Sequence, residues 1–386
     1  MAACLTLTLL APAVVRAETS EWQQRVAPGT KGTPKAPPKD VPGATTKSRV
    51  KSEALSPGTT PGMLLPGAAT GPKPPARPSL GPSTTPNESE HAKSDGVSGN
   101  AAYEAFEQGK YLTALALAEK AAANGDPQSH TLVARIHADG LGVPQDFVKA
   151  AHWYGEGAKL GDIEASFALG ALHAQGQGVE KNFAKAAELF EVAALKGHPL
   201  ANYNLALLFL KGQGKAENPR RAFAHMLFAA ERGVVSAQYD VGTLLTTGTG
   251  TEPNAFEGAK WIGKAARAGH VEAEIEYAII LFKVDADPNN KAEVEKQRAA
   301  QREGVALLRS AAEKGHPVAQ NRLGRCYANG IGVEMNIIEA AKWHLIARSG
   351  GIDDDVLDKI IGRLSKTDRQ RAEKTAEEWR ERSLIQ

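Results

Sequence analysis

The chain has 386 residues, a formal net charge of +2 and 23% charged residues, a balance that gives no strong pull toward nucleic acid or anionic lipid. Two cysteines, Cys4 and Cys326, exclude a disulfide-stapled scaffold. Fourteen of the 22 prolines fall between Pro28 and Pro86, so the chain is not one uniform globule.

Residues 2–15 form an apolar run too short to span a bilayer comfortably. No Lys or Arg precedes it. Val15-Arg16-Ala17 places apolar and small residues where a leader peptidase reads them, so residues 1–17 are expected to be a signal peptide cut after Ala17. The mature chain would then be periplasmic or secreted. Residues 18–100 carry one aromatic, Trp22, among Pro, Gly, Ser, Thr, Lys and Ala. Such a composition cannot offset the entropy of ordering, and a disordered linker is expected. P-x-x-P matches such as Pro34–Pro37 and Pro75–Pro78 are of the kind chance supplies in a proline-rich stretch.

From Ala101 the pattern changes to apolar residues at helical spacing. Residues 101–125 read as an N-terminal capping hairpin with its turn at Gly109-Lys110. Glycines then recur at 125, 161, 197, 233 and 269, a period of 36, followed by Gly315 and Gly351. A fixed period of this size marks a solenoid. Positions are counted below from each closing glycine, so residues 126–351 form six units.

Position +4 is small (Ser129, Ala165, Ala201, Ala237, Ala273, Ala319), as is +9 (Ala134, Gly170, Ala206, Gly242, Ala278, Gly324). These let a first helix, from +4 to about +14, pack closely on its neighbour. Glycines at +15 and +17 stop that helix and turn the chain in five units. Asp146, Asn182, Asn218, Asn254 and Asn336 at +21 cap a second helix. The fifth unit, Gly269 to Gly315, is ten residues longer and lacks both loop glycines. A longer loop and an extended second helix are expected there. Residues 352–386 read as a charged C-terminal capping hairpin, with Thr367 or Asp368 as a cap. A polar pair there would shield the open end.

The pattern at 165–197, repeated at 259–270 and 329–344, resembles the Sel1-like repeat, a relative of the tetratricopeptide hairpin. The resemblance implies an all-α fold: a right-handed α-solenoid of antiparallel helix pairs whose concave face holds a partner protein. Joined to a signal peptide, it is similar to periplasmic exopolysaccharide regulators that restrain a membrane sensor kinase. The partner so implied is a protein or peptide, such as the periplasmic domain of a membrane sensor.

No H-E-x-x-H, C-x-x-C, P-loop or G-x-S-x-G motif occurs. The G-x-G loops follow helices rather than strands, which fails the condition for a dinucleotide cradle. His198, His270 and His316 share one repeat position, which points to capping or packing. Cys326 reads as an inert core thiol. No catalytic, metal or cofactor residue is therefore expected. The candidate is a surface. With +4 and +9 on the packed side, +6, +10 and +13 are expected to face the groove, carrying Phe167, Tyr203, Leu207, Leu210, Tyr239, Ile275, Ile279 and Phe282, with Arg135 and Arg325 toward the ends. The competing reading packs the +6 residues against the next repeat. A non-enzymatic scaffold is the favoured function; an envelope-acting hydrolase or accessory factor, or a structural spacer, are the alternatives.

Overall fold

The computed structural model describes residues 99–383. The expected signal peptide and all but the last two residues of the expected linker lie outside them. The described residues form sixteen helices and no strand. A first hairpin pairs α1 (Gly99–Glu107) with α2 (Tyr111–Ala123). Six units follow: α3 (Pro127–Asp139) with α4 (Phe147–Lys159), α5 (Ile163–Gln175) with α6 (Phe183–Leu195), and α7 (Pro199–Lys211) with α8 (Pro219–Glu231). Then come α9 (Val235–Thr247) with α10 (Ala255–Arg267), α11 (Val271–Phe282) with α12 (Lys291–Glu313), and α13 (Pro317–Asn329) with α14 (Ile337–Ser349). The chain closes with α15 (Asp355–Gly362) and α16 (Lys366–Ser383). From α1 to α15 successive helices pack on one another, which is the solenoid plan.

Local chemistry sets these boundaries. The +15 glycines end their helices in the left-handed region, Gly176 at φ +76°, where a Cβ would be strained. At +21, Asn182 Oδ1 accepts from the Lys185 N–H at 3.0 Å, and Asn218 from the Arg221 N–H at the same distance. Asp126 and Asp162 cap the first helices of units one and two. His198 takes over that task in unit three, its Nδ1 accepting the Ala201 N–H at 3.0 Å. The proton is then on Nε2, which donates to Glu164 Oε2 at 3.1 Å, 34 residues earlier. One histidine thus caps a helix and ties two units together.

The +17 glycines do more than turn the chain. A Cβ on Gly178 would overlap the carbonyl of Phe147; Gly214 meets Phe183 in the same way, and Gly250 meets Pro219. Each of these loops lies on the start of the preceding unit's second helix, so these glycines set how closely units stack. The small positions behave as expected: Ala165 and Ala201 are fully buried, and a Cβ at Gly170 would press into the Phe190 ring.

Unit five has its long second helix, α12 spanning 23 residues against 13 for α10. The C-terminal end departs from a simple hairpin. α14 packs along α16, as other second helices pack on the next first helix, while α15 lies against α13 and α14. Trp379 of α16 meets Trp343 of α14 edge to face, 5.8 Å between centroids, and α15 buries only Leu357. The cap of α16 is Ser365 rather than the expected Thr367 or Asp368: its Oγ accepts the Asp368 N–H at 3.1 Å, and Asp368 accepts from that hydroxyl in return at 2.7 Å.

Candidate functional site

In each unit the first helix packs on its own second helix and on that of the unit before. The stripe left over is +3, +7, +10 and +14, four positions on one helical face, buried at +7 and +10 in units two and three and partly open there in units four to six. In unit four these are Ser236, Asp240, Thr243 and Thr247; in unit five, Glu272, Glu276, Ile279 and Lys283. Position +6 is turned from solvent, because it meets the cap residue of the next unit. The ring of Phe167 stacks on His198, 4.5 Å between centroids, and Tyr239 on His270 at 4.8 Å.

That register corrects the expected groove. Phe167, Tyr203, Leu207 and Ile275 are buried; they hold units together and line no open surface. Leu210 packs half-buried against the core of units two and three, and Ile279 and Phe282 against that of units five and six. Tyr239 is half-buried beneath its histidine partner. Arg135 is exposed, over the Phe106 ring and 3.5 Å from Asp139. The Arg325 Nε donates to the buried Asp354 Oδ2 at 2.6 Å, a bond that docks α15 onto α13.

Sequence reasoning missed the residue beside each aromatic. Position +7 carries Asn204, Asp240, Glu276 and Arg322 in four successive units. Burial pushes the Asp240 carboxyl up to about 7, with a hydrogen bond from Tyr203 and the charge of Lys211 only partly offsetting it. Burial likewise raises Glu276, against the Tyr239 hydroxyl. Burial lowers Arg322, and the neighbouring charge of Arg325 adds to it. The legible signal is the alternation in units three to five, apolar or aromatic at +6 (Tyr203, Tyr239, Ile275) and polar at +7.

The other acids and bases have internal roles. Glu272, Glu274 and Glu276 spread round α11 as alternation by two requires. Glu274 is buried, its Oε1 accepting from Ser310 Oγ and Lys314 Nζ, both at 2.8 Å. It lines an open depression of about 530 Å³ at the ends of α10 and α12, where Arg267 also pairs with Glu303 at 2.9 Å. Both acids there are ion-paired within the chain, although Glu274 Oε2 is buried without a hydrogen-bond partner. Cys326 is buried and its thiol is pushed up to about 12 by that burial, far from a reactive thiolate. Among the described residues no group of His, Cys, Asp and Glu converges as a metal site, and no helix is long and apolar enough to cross a membrane.

The pattern that defines the Sel1 repeat family matches residues 108–126, 127–162, 163–198, 199–234, 235–270, 297–316 and 317–352. The gap at 271–296 falls on α11, the loop after it and the first part of the long helix of unit five. A Sel1 repeat protein from Oxalobacter formigenes superposes at a TM-score of 0.54 with 23% identity, covering 68% of this chain and 99% of its own. A protective antigen of uropathogenic Escherichia coli with an SLR fold gives a TM-score of 0.37 at 20% identity, over 73% and 84% of the two chains. A Sel1 repeat protein from Klebsiella pneumoniae gives 0.33 at 22% identity, over 47% and 90%. At these identities the first likeness speaks to fold alone. No curated protein matches the chain.

Proposed function

Because the chain belongs to the Sel1 repeat family, whose repeats generally mediate protein–protein contact, we propose that it is a non-enzymatic scaffold holding a partner protein on its first-helix face. The observation that carries this reading is the character of that face in units four to six. It is partly open and polar, and it keeps half-buried charges outside any ion pair, while the ends of the second helices close theirs in pairs. A surface retained at that cost is suited to a ligand. The apolar run and cleavage pattern at 1–17 support export, and the resemblance to periplasmic regulators supports the outer domain of a membrane sensor as the partner.

A photo-crosslinking side chain placed at Thr247, exposed on the first-helix face, is expected to capture the partner in intact cells. The same group at Val192, exposed on the second helix α6, is expected to capture none. Capture from Val192 alone would overturn the assignment of the face. Export is tested by sequencing the mature N-terminus: a start at Glu18 supports it, and a retained Met1 ends it.

A further inference from the structure

The +7 row runs Asn204, Asp240, Glu276, Arg322 through units three to six, with Asn204 fully buried and the other three half-exposed. No ion pair closes its three charged members: among the described residues no cation lies within ion-pair distance of Asp240 or Glu276, and no carboxylate of Arg322, while the charge of Lys211 acts on Asp240 from beyond that distance. Elsewhere the solenoid closes comparable charges, Glu274 with Lys314, Asp354 with Arg325, and Glu191 with both Lys215 and Arg221. Asp240 Oδ2 and Arg322 Nε are cut off from solvent without a hydrogen-bond partner. A desolvated, unpaired charge destabilises a fold, so folding supplies no reason to keep three of them in one row. Nor are the two acids free to swing away. Tyr203 at +6 of one unit acts on Asp240 of the next, and Tyr239 acts on Glu276. The acids are thus held in place by the same residues that stack the units.

We propose that this row is a recognition strip for an extended peptide segment of the partner. A Lys or Arg side chain of that segment docks between Asp240 and Glu276, and an Asp or Glu side chain docks on Arg322. The proposal rests on the scaffold reading above and names the chemistry of its partner. Charge complementarity sets the order along the strip, basic toward unit four and acidic toward unit six. A guanidinium offers a carboxylate two parallel hydrogen bonds, which suits Arg322 to the acidic end. First helices of adjacent units stand roughly 10 Å apart, and an extended chain advances about 3.3 Å per residue. The two charges of the segment therefore lie about three to six residues apart. The raised Asp240 and lowered Arg322 fit this arrangement, because each returns toward its ordinary state when a counter-ion arrives.

The test selects a random dodecapeptide phage library against the full chain, and in parallel against Asp240→Asn/Glu276→Gln, Arg322→Met and Thr247→Trp. From the unaltered protein, sequences pairing Lys or Arg with Asp or Glu three to six positions apart are expected to enrich at least tenfold. The double acid variant loses the basic preference, and Arg322→Met loses the acidic one. Enrichment that survives both sets of substitutions, or no such enrichment at all, overturns the strip. If Thr247→Trp abolishes binding while the charge variants do not, the face stands as the docking surface and the strip falls. If Thr247→Trp is also without effect, both fall. Melting each variant guards against misfolding: removing an unpaired charge is expected to raise Tm by a few degrees. A fall in Tm for both Asp240→Asn and Arg322→Met would show that the fold itself satisfies those charges, and it too overturns the proposal.

Discussion

Units two and three differ from units four to six on the same helical face. In the earlier pair, Ala168, Ala171, Asn204 and Leu207 are all buried, and the face is closed by its own packing. In the later three, Asp240, Thr243, Glu276, Ile279 and Arg322 are half-exposed at equivalent positions. The frame beneath is the same in both, with small residues at +4 and +9 and, outside the long unit, loop glycines and an asparagine cap. Repeat architecture thus separates two tasks. Shared positions hold unit to unit, and the unshared stripe is left to vary, because each unit leans only on its neighbours.

The frame should fail hardest where it is most packed. Phe190→Ala, at a fully buried ring between α5 and α6, is expected to cost about 3–5 kcal/mol. The loss should appear in urea unfolding as early melting of units two and three. Next comes the glycine contrast. Gly178→Ala drives a Cβ into the Phe147 carbonyl, whereas the closing Gly233 has the same left-handed backbone with open space around it. The first is expected to cost about 3 kcal/mol, through strain and disrupted stacking. Gly233→Ala should cost about 1–2 kcal/mol, the left-handed penalty alone. Equal losses by thermal melting would remove the stacking role given to +17.

On the wet face the sign reverses. Asp240 is raised in the folded chain to about 7, above an unfolded value of about 4. The unfolded state gives up its proton first, so stability falls as pH rises from about 4 through 7 and is level above. Asp240→Asn removes that fall and is expected to stabilise by on the order of 2–3 kcal/mol at pH 8 and near zero at pH 4. In the folded chain Tyr203, Lys211 and Tyr239 face the group. A variant equally stable at both values would contradict the burial. The smallest effect is expected from His198→Ala, about 1–2 kcal/mol for the lost cap and the lost stacking on Phe167. Calorimetry of the variant would measure it, and a Ser at the same place should restore the cap without the stacking.

How far the chain can be read without coordinates follows from the range of each interaction. The +15 glycines and the +21 caps act within four residues, so the helix limits of every regular unit are legible. The long α12 shows in the same way, as a missing pair of glycines and, after a cap at Asn290 on the regular +21 position, a closing glycine ten residues late at Gly315. The pattern puts +6 and +13 on the groove side together with +10, whereas the structure puts +3, +7 and +14 there with it. Positions +6 and +7 differ by about 100° on a helix, and both are consistent with small residues at +4 and +9. The choice is made by a residue of the next unit, when His198 or His270 stacks over the +6 ring. Likewise α15 and α16 look like one more hairpin by pattern, yet the Trp379–Trp343 contact draws α16 along α14.

By itself, then, the sequence determines the period, the helix ends, the long fifth unit and the α-solenoid, because these rest on backbone conformations and caps that each segment decides locally. Tertiary structure alone decided that +17 glycines are contact points between units, that +6 is sealed, and that Asp240, Glu276 and Arg322 face outward together outside any ion pair. Those outcomes depend on which surfaces meet across 30 or more residues, and only the stacked chain brings them together.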